Sequence, residues 1–486
     1  MGGRKQIIKN YIYNLTYQIL TLILPIVTTP YLARVLGAEG TGIYGYTFSI
    51  TTYFALFGSL GVALYGQREI AYAQDKPEER KRKFFEIVLF RFVTVAIAMV
   101  AFYFVCMRQG EYSVYYRILF LELVAGAFDI SWFFQGMEEF KKTVIRNIAV
   151  RLVSVTCIFI FVKERSDLNK FILIYSLADL IGNLSLWLYL PKYFKGVKVG
   201  KLSIMQNLPQ ILLLFIPQVS NQLYKILDTT MLGQIIADKA ETGYYEQSQK
   251  VIRLLLTLVT SLGVVMLPRM ANTFAKGDKE QIKQYLHNSI KFTSLLAFPM
   301  MFGIFSIADR FVPFFFGEGY DRSIILIRII CPIVYLMGVA NIIGTQYLIP
   351  VKRNKEYTNS ILIGLIANFI MNYFMIKEWQ AVGASIATVL SQLLIDAIQL
   401  YMVRDTLKVT DLFKNGYKFL ISGLVMFGAC QMVAYIAQDA VDVISIVAQI
   451  VIGIAVYGAM LLLLKESYIF EFINKLKEKL IKKYAK

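Results

Sequence analysis

The sequence has little charge for its length. Asp, Glu, Lys and Arg make up only 17% of its 486 residues, whereas hydrophobic residues make up 57% and the mean hydropathy is +0.55. Soluble domains carry about 25% charged residues, so this shortage excludes a soluble globular protein. Apolar runs of about 20 residues recur along the chain, each long enough to cross a hydrocarbon core of roughly 30 Å. We therefore predict an all-α polytopic membrane protein.

Groups that carry metal, redox or nucleotide chemistry are scarce as well. The four cysteines lie singly in apolar runs, without the spacing of a metal site or a CxxC pair, at Cys106, Cys157, Cys331 and Cys430. The single histidine, His287, has no partner for catalysis or metal binding. The sequence also lacks a GxxxxGK(S/T) phosphate-binding loop. These absences argue against an enzyme, a metal site and ATP hydrolysis by this chain.

Basic residues outnumber acidic ones, 51 to 33, and they are unevenly placed. Lys and Arg concentrate in alternate connections between apolar runs, beginning with the N-terminal segment. This alternation is typical of the cytoplasmic loops of a membrane protein and differs from the basic face of a nucleic-acid-binding protein. We predict that both termini are cytoplasmic and that the protein binds no nucleic acid.

The apolar runs predict fourteen membrane-spanning helices. They cover residues 11–34, 42–66, 84–106, 115–136, 143–162, 171–191, 207–233, 243–267, 287–308, 323–349, 357–376, 380–403, 417–437 and 443–464. The first span lacks a small-residue cleavage site, so we expect it to be retained and not removed as a signal peptide. All connections are short, and the longest outward one, residues 309–322, has no room for a soluble domain.

An internal repeat relates the two halves of the chain. Thr41-Gly42, Ser59-Leu60-Gly61 and Arg68 recur as Thr242-Gly243, Ser261-Leu262-Gly263 and Arg269, at offsets of 201, 202 and 201 residues. The copies start six spans apart, which preserves orientation, so we expect two six-helix lobes related by a pseudo-two-fold axis along the membrane normal. The predicted parts are spans 1–6, spans 7–12, spans 13–14 and an amphipathic basic cytoplasmic tail, at residues 1–200, 201–405, 406–465 and 466–486.

Three spans carry polar side chains at helical spacing. Such groups must face protein or water inside a membrane, so we predict that the three stripes line one interior surface. The predicted cavity-lining residues are Asn14, Gln18, Thr21 and Thr28 in span 1, Gln218 and Asn221 in span 7, and Glu246 and Thr257 in span 8. The charged residues Lys225, Asp228, Lys250 and Arg253 belong to the stripes of spans 7 and 8.

Basic residues inside spans need partners or water, because lipid exposure costs about 3 kcal/mol each. Lys225 with Asp228 and Glu246 with Lys250 lie one turn apart, so each pair is able to neutralise itself. Arg253 has no acidic residue three or four positions away. It either forms a buried ion pair with another span or binds an anionic ligand in a water-filled cavity. The acids considered for the ion pair are Glu122, Asp129 and Asp179.

The first span also carries a family signature. It reads Leu24-Pro25-Ile26-x-Thr28-x-Pro30-Tyr31-x-x-Arg34-x-Leu36-Gly37-x-x-Gly40-x-Gly42. With the fourteen spans and the six-span repeat, this motif resembles the bacterial Wzx-type oligosaccharide flippases of the multidrug/oligosaccharidyl-lipid/polysaccharide exporter superfamily. The resemblance implies alternating access by two lobes in the bacterial inner membrane. The implied activity moves undecaprenyl-pyrophosphate-linked sugar repeat units from the inner to the outer leaflet for cell-surface polysaccharide synthesis.

The resemblance implies partners and a binding role as well. The expected ligands are the undecaprenyl-pyrophosphate-linked oligosaccharide and membrane lipids, and the expected protein partners are a polysaccharide polymerase and glycosyltransferases. Arg34 is the motif residue that is suited to meet an anion, and it joins Lys225, Asp228, Lys250 and Arg253 in the predicted substrate-binding set.

No cofactor is expected, apart from H⁺ or Na⁺ as a coupling ion. Asp129, Asp179 and Asp396 lie in spans and are able to carry protons, but we favour ordinary salt bridges for all three. The identity of the coupling ion stays open.

Three other functions compete with this interpretation. A cation-coupled drug exporter of the same superfamily usually has an acidic residue in span 1, whereas no Asp or Glu occurs between Asn10 and Ala38. A lipid II (peptidoglycan precursor) flippase shares the architecture and an anionic lipid substrate, so only the span-1 motif argues against it. A membrane glycosyltransferase or polymerase needs outward loops longer than those present here.

Overall fold

The computed structural model describes the backbone of residues 2–198 and 200–466, with side chains over the same ranges except residues 2–19, 213, 214, 216–218, 221, 264 and 265. The described chain is all-helical and has no β-strand. Its helices are α1 (Gly2–Ser59), α2 (Val62–Tyr72), α3 (Pro77–Phe102), α4 (Ser113–Phe128), α5 (Ser131–Gly136), α6 (Phe140–Phe161), α7 (Leu168–Trp187), α8 (Pro191–Phe194), α9 (Leu208–Ile235), α10 (Lys239–Ala275), α11 (Lys279–Phe316), α12 (Asp321–Ile330), α13 (Ile333–Ala340), α14 (Asn354–Val403), α15 (Val409–Leu412), α16 (Gly416–Ile436) and α17 (Asp442–Leu463). Two π-helical segments, Tyr103–Met107 and Asn341–Leu348, extend α3 and α13.

The helices account for all fourteen predicted spans. Eleven helical stretches of the described chain are long and apolar enough to cross a membrane. Two of these stretches contain a kink, inside α1 and inside α14, and each holds two predicted spans. The 28-residue helix α9 corresponds to predicted span 7. The all-α polytopic fold is therefore confirmed.

Sharp bends separate the spans that share a helix. Spans 1 and 2 are divided at Gly37, where φ is 69° and ψ is 178°, a conformation that glycine adopts without a steric penalty. Spans 11 and 12 are divided at Gln380, where φ is 52° and ψ is −129°. Close behind it, a Cβ on Gly383 would lie 2.0 Å from the Met375 carbonyl oxygen. Backbone contact thus closes the second bend tightly.

Predicted span 2 is not one continuous helix. It is interrupted at Leu60 and Gly61, whose φ angles are 43° and 74°. The hydroxyl of Thr94 donates a 2.6 Å hydrogen bond to the Gly58 carbonyl, which satisfies a backbone group next to the break. In the second copy of the repeat, α10 continues through Gly263. The repeat is therefore preserved in sequence but not in this local backbone conformation.

Predicted span 4 is also divided, into α4 and α5 at Asp129. The Ser131 amide donates to Asp129 Oδ1 at 2.9 Å. The indole of Trp132 and Nη1 of Arg91 donate to the Asp129 carbonyl at 3.2 and 3.0 Å. These side chains replace the helical hydrogen bonds that the break removes, as a buried backbone requires.

The described chain forms two compact units, one that ends at Gly243 and one that begins at Tyr244. Two buried clusters organise the first unit. An aromatic cluster joins α3, α5 and α8 through Phe84, Trp132, Phe133, Phe134 and Phe194. A mainly aliphatic cluster joins α1, α3, α4, α6 and α7 through Leu36, Phe102, Leu119, Ile158 and Ile172. This unit includes α9, and the predicted lobe boundaries at residues 200/201 and 405/406 stay predictions.

The second unit has two clusters of its own. One joins α11 with the second π-helical segment and the end of α14 through Leu286, Ile342, Ile343, Leu348 and Val403. The other joins α11 with α16 and α17 through Phe298, Phe419, Met426, Cys430 and Tyr457. The predicted amphipathic tail lies outside the described residues, apart from Glu466. This carboxylate is buried and lies 3.6 Å from Lys291 Nζ and 3.5 Å from Lys418 Nζ.

Candidate functional site

The predicted polar stripe of span 1 is described only in part. The side chains of Asn14 and Gln18 lie outside the described residues. Thr21 is exposed, and the half-buried Thr28 donates its hydroxyl hydrogen to the Leu24 carbonyl at 3.0 Å. Arg34, the basic residue of the motif, is exposed. A binding role for these residues stays a prediction.

The stripe of span 7 lies on α9. The side chains of Gln218 and Asn221 fall outside the described part of this helix. Lys225 is exposed, whereas Asp228 has only 5% of its surface exposed. Asp228 lies three positions after Lys225, so both groups lie near the same side of α9. The exposed ammonium marks this side as accessible from outside the packed core.

The stripe of span 8 lies on α10 and contains an ion pair between Glu246 and Arg253. By their spacing of one turn, Glu246 and Lys250 are able to neutralise each other. Instead, Arg253 Nη2 lies 3.8 Å from Glu246 Oε1, across seven residues and two helical turns. Arg253 thus has its acidic partner on its own helix and not on another span. Thr257 continues the stripe and donates its hydroxyl hydrogen to the Arg253 carbonyl at 2.8 Å.

The ion pair leaves Arg253 accessible. Its side chain is 52% exposed, whereas that of Glu246 is 16% exposed. A guanidinium near the middle of a span costs about 3 kcal/mol in lipid, so an exposed one is stable only where the exposed side is wet. An exposed surface pair of this length contributes about 0–1 kcal/mol and does not occupy all five N–H donors. Arg253 therefore retains donors for an anionic ligand.

A cavity of about 250 Å³ lies within the first unit beside a second guanidinium. Its polar lining consists of Arg91, Thr52, Ser59 and Gln222. Arg91 is 5% exposed, and its Nη2 lies 3.8 Å from Asp129 Oδ2. Its Nε has no hydrogen-bond partner within the described chain. The sequence indicated a basic residue inside span 3, but it gave no reason to group Arg91 with hydroxyls of span 2.

The two copies of the repeat meet at their opening glycines. A Cβ on Gly42 would lie 1.7 Å from the Lys239 carbonyl oxygen and 2.8 Å from the Gly243 nitrogen. A Cβ on Gly243 would lie 1.9 Å from the Ala38 carbonyl oxygen. Each glycine thus faces the carbonyl of the residue four positions before the other glycine. This reciprocal backbone contact requires a glycine at this position in both copies of the repeat.

Sequence reasoning missed a buried polar core in the second unit. The Gln249 amide donates to the Tyr245 hydroxyl at 2.7 Å, and that hydroxyl lies 3.0 Å from Thr388 Oγ1. Asn372 donates to Asn368 Oδ1 at 3.1 Å. Span 12 contributes a polar stripe to this core. Its members recur at helical spacing that is visible in the sequence, at Ser385, Thr388, Gln392, Asp396 and Gln399. A few hydroxyl and amide residues lower the mean hydropathy of an apolar span too little to reveal such a stripe.

The fold has known counterparts. It superposes with a TM-score of 0.72 on the solved structure of the lipid II flippase MurJ in an inward closed conformation, at 16% identity over 94% of this chain and 100% of that chain. An inward-facing multidrug resistance MATE family transporter of the MOP superfamily gives a TM-score of 0.60 at 10% identity, over 80% and 95% of the two chains. The fold and its polar stripes thus define a multi-pass membrane protein with the helical fold of the MOP superfamily.

Sequence comparisons narrow this class. The chain is 25% identical over 407 residues to a protein of Escherichia coli K12 named "Putative O-antigen transporter", which covers 82% of this chain and 96% of that protein. It is 24% identical over 153 residues to the lipopolysaccharide biosynthesis protein WzxC of the same strain, 32% of this chain and 31% of WzxC. The family profile described as "Polysaccharide biosynthesis protein" matches residues 7–274, and a MatE profile matches residues 214–374. The chain belongs to the polysaccharide biosynthesis protein family.

Proposed function

We propose that this protein is a flippase that moves undecaprenyl-pyrophosphate-linked oligosaccharide repeat units from the inner to the outer leaflet for cell-surface polysaccharide synthesis. The observation that carries the proposal is the accessible Arg253 guanidinium, 52% exposed in the middle of a predicted span. A cation in a wet cavity with low-dielectric walls attracts an anionic headgroup strongly. The related O-antigen transporter and WzxC support a lipid-linked sugar as the cargo.

The chemistry of the substrate suits the predicted binding set. A pyrophosphate presents several anionic oxygens, and the guanidinium offers forked N–H donors that match two of them. Lys225, Lys250 and Arg34 add point charges or donors for the remaining oxygens. The sugars then meet the hydroxyl and amide groups of the stripes, while the polyprenyl tail stays in the bilayer. Alternating access by two lobes would release the headgroup on the outer side.

The proposal extends to the setting of the protein. We place it in the bacterial inner membrane with both termini in the cytoplasm, because Lys and Arg concentrate in alternate connections starting at the N-terminus. It acts as a transporter and not as an enzyme, coupled to H⁺ or Na⁺. Membrane lipids surround it, and a polysaccharide polymerase and glycosyltransferases are its functional partners.

The test is transport in proteoliposomes that contain a fluorescent undecaprenyl-pyrophosphate oligosaccharide. Arg253→Ala should lower the initial rate by roughly 10- to 100-fold, because a hydrogen bond to a charged group contributes about 1.5–3 kcal/mol and 1.4 kcal/mol is a factor of ten. Arg108→Ala is the matched control, since Arg108 is exposed in a connection between spans. Equal rates for wild type and Arg253→Ala would remove Arg253 from the mechanism.

The same vesicles separate the alternatives. Lipid II is offered in one arm and a cationic dye in another. Faster movement of lipid II than of the oligosaccharide would assign the protein to peptidoglycan synthesis. Export of the cationic dye alone would make it a drug exporter. The proposed function expects neither result, because the exposed groups of spans 7 and 8 include cations that repel the dye.

A further inference from the structure

Asp396 is a buried carboxylate without a cationic partner. It lies in the second half of α14, and only 6% of its surface is exposed. The Gln392 side-chain amide donates to Asp396 Oδ1 at 3.0 Å. Within the described chain, no Lys, Arg or His nitrogen lies within ion-pairing distance of this carboxyl group. We expected an ordinary salt bridge here, and the structure contradicts that expectation.

Two other acids of the described spans do have such partners. Asp129 Oδ2 lies 3.8 Å from Arg91 Nη2, and Glu246 Oε1 lies 3.8 Å from Arg253 Nη2. An arginine thus lies beside each of these two carboxyl groups and is able to compensate a negative charge there. Asp396 has an amide in place of the arginine, and an amide carries no charge.

Within the described chain, no basic group of the elements packed around Asp396 forms an ion pair with its carboxyl group. From α13, Tyr335 is near enough to interact electrostatically with Asp396. Arg328 of α12 is engaged elsewhere, with Nη2 on Asp309 Oδ2 at 2.5 Å. In the second π-helical segment, Tyr347 donates to Thr406 Oγ1 at 2.8 Å. The remaining titratable groups of these elements and of the first half of α14 are Asp321, Arg322, Cys331, Lys355, Glu356, Tyr357, Tyr373, Lys377 and Glu378. Helix α10 also contacts α14, through Tyr245 and Thr388, and its titratable groups within the second unit are Tyr244, Tyr245, Glu246, Lys250, Arg253 and Arg269.

Physical chemistry leaves two ways to stabilise this site. An isolated carboxylate in a low-dielectric core costs several kcal/mol, and the group avoids this cost by binding a proton or a metal cation. A metal cation needs several oxygen ligands, whereas the neighbour that contacts Asp396 is an N–H donor. The described residues also contain no cluster of three acidic, His or Cys side chains that could hold a metal ion. A proton fits the surroundings better.

The amide makes release of the proton possible as well. When the carboxylic O–H bond breaks and the proton passes to water, the carboxylate keeps the hydrogen bond from Gln392, which is stronger to the charged form. Gln399 lies three residues further along the same face, and its amide donates to Ser360 Oγ at 3.1 Å. Polar groups therefore continue from Asp396 along the helix face, as a path for protons needs.

We propose that Asp396 is a proton-binding site whose carboxyl group takes up and releases one proton during each transport cycle. The inference rests on the proposed function and goes beyond it, because it assigns the coupling ion as H⁺ and gives it a single carboxyl group. The coupling site then lies on α14, in the polar core of the second unit, whereas the predicted substrate-binding residues belong to α1, α9 and α10.

Infrared spectroscopy of the full-length protein in lipid tests the binding step without substrate. The protonated carboxyl of Asp396 should give a C=O stretching band that is lost as the pH is raised. Asp396→Asn should lack this band, and Asp396→Glu should restore one. Asp129→Asn is the matched control and should keep the band, since Asp129 is paired with Arg91. The inference would be overturned if the pH-dependent carboxyl bands of Asp396→Asn were the same as those of the wild type.

Proteoliposomes that contain the labelled oligosaccharide test the release step. A proton gradient should stimulate wild-type flipping, Asp396→Asn should lose this stimulation, and Asp396→Glu should regain it. Stimulation by a sodium gradient alone, or unchanged stimulation in Asp396→Asn, would contradict the inference. Absence of wild-type flipping would instead refute the proposed function, while the infrared band would still report on Asp396. Unfolding temperatures of the variants confirm that each one is folded.

Discussion

Single residues of the span-1 motif have identifiable structural roles. The hydroxyl of Tyr31 donates to the Val162 carbonyl at 2.6 Å and thereby fixes span 1 to the end of α6. Leu36 is 2% exposed in a buried cluster of the first unit. Gly37 forms the bend between spans 1 and 2, and Gly42 forms the backbone contact between the repeat copies. The motif thus specifies a helix junction, whereas a ligand-binding role for Arg34 stays a prediction.

One charged cluster outside the spans makes stability depend on pH. Nη1 of Arg353 lies 3.1 Å from Asp405 Oδ1, and its hydrogen bond lowers the pKa of the Asp405 carboxyl group below the usual value. A lowered folded-state pKa stabilises the protein above the unfolded pKa of about 3.9, and this contribution disappears as the pH falls through the folded-state value. The sign follows from tighter proton binding in the unfolded chain.

We therefore expect Asp405→Asn to lower the unfolding temperature at neutral pH and to have little effect in acid, where the wild-type carboxyl is protonated. The shift should be small, because 61% of the Asp405 side chain is exposed. Thermal unfolding in detergent at a series of pH values measures the difference. Asp439→Asn, at another exposed position, should show no such pH-dependent difference. A constant difference between wild type and Asp405→Asn at every pH would contradict the ion-pair explanation.

At the scale of elements, close backbone contacts organise the helices of the first unit. The crossing at Gly42 and Gly243 leaves no space for a Cβ on either residue. Gly233 of α9 is similar, because a Cβ there would lie 2.2 Å from the ring of Tyr46. Small residues at such crossings allow van der Waals contact and weak Cα–H···O bonds, which drive helix association where lipid is the solvent.

Substitution at the crossing should therefore be costly in either copy of the repeat. Gly42→Ala and Gly243→Ala each place a methyl group within 2 Å of a carbonyl oxygen, so the helices must separate. We expect each variant to lose several degrees of unfolding temperature or to fail to accumulate, consistent with overpacking costs of about 1–3 kcal/mol or more. Thermal unfolding of the purified variants provides the measurement.

Gly428→Ala and Gly458→Ala are the matched controls for these variants. Both glycines are helical, in α16 and α17, and a Cβ on either one would meet nothing within 4 Å. Alanine should be neutral or stabilising at these positions, by about 0.5–1 kcal/mol, because it favours the helix. If Gly42→Ala behaved like the controls, the proposed contact between the repeat copies would be wrong.

For the whole molecule, hydropathy and the distribution of basic residues were sufficient to predict the fold class. Fourteen spans follow from twenty-residue apolar runs, because the transfer of each run into the bilayer is favourable whatever its neighbours are. The breaks at Leu60 and Asp129 could not be predicted in this way. They depend on tertiary hydrogen bonds from Thr94 and Arg91, which are distant in sequence from the breaks.

The site was harder to predict than the fold. Helical spacing placed Glu246 and Arg253 on one stripe, but it favoured Lys250 as the partner of Glu246, since pairs one turn apart are the usual ones. Rotamers of the long arginine side chain decide which pair forms, and spacing carries no information about rotamers. The sequence also could not show that the Asp396 carboxyl group lacks a cationic partner within the described chain. That property depends on every element packed against α14.

The predicted topology has a direct test in intact cells. A cysteine-free variant, with Cys106, Cys157, Cys331 and Cys430 replaced by serine, receives one exposed cysteine at a time. Gln109→Cys and Asp439→Cys lie in predicted outward connections, and Asp75→Cys and Lys276→Cys lie in predicted cytoplasmic ones.

One span separates residues 75 and 109, and five spans separate residues 276 and 439, so each pair must lie on opposite sides of the membrane. A membrane-impermeant maleimide should label positions 109 and 439 in intact cells and positions 75 and 276 only after permeabilisation, because loops rich in Lys and Arg stay in the cytoplasm. Labelling of both members of a pair in intact cells would mean that the number of spans between them is even, and it would refute the fourteen-span topology in that half of the chain.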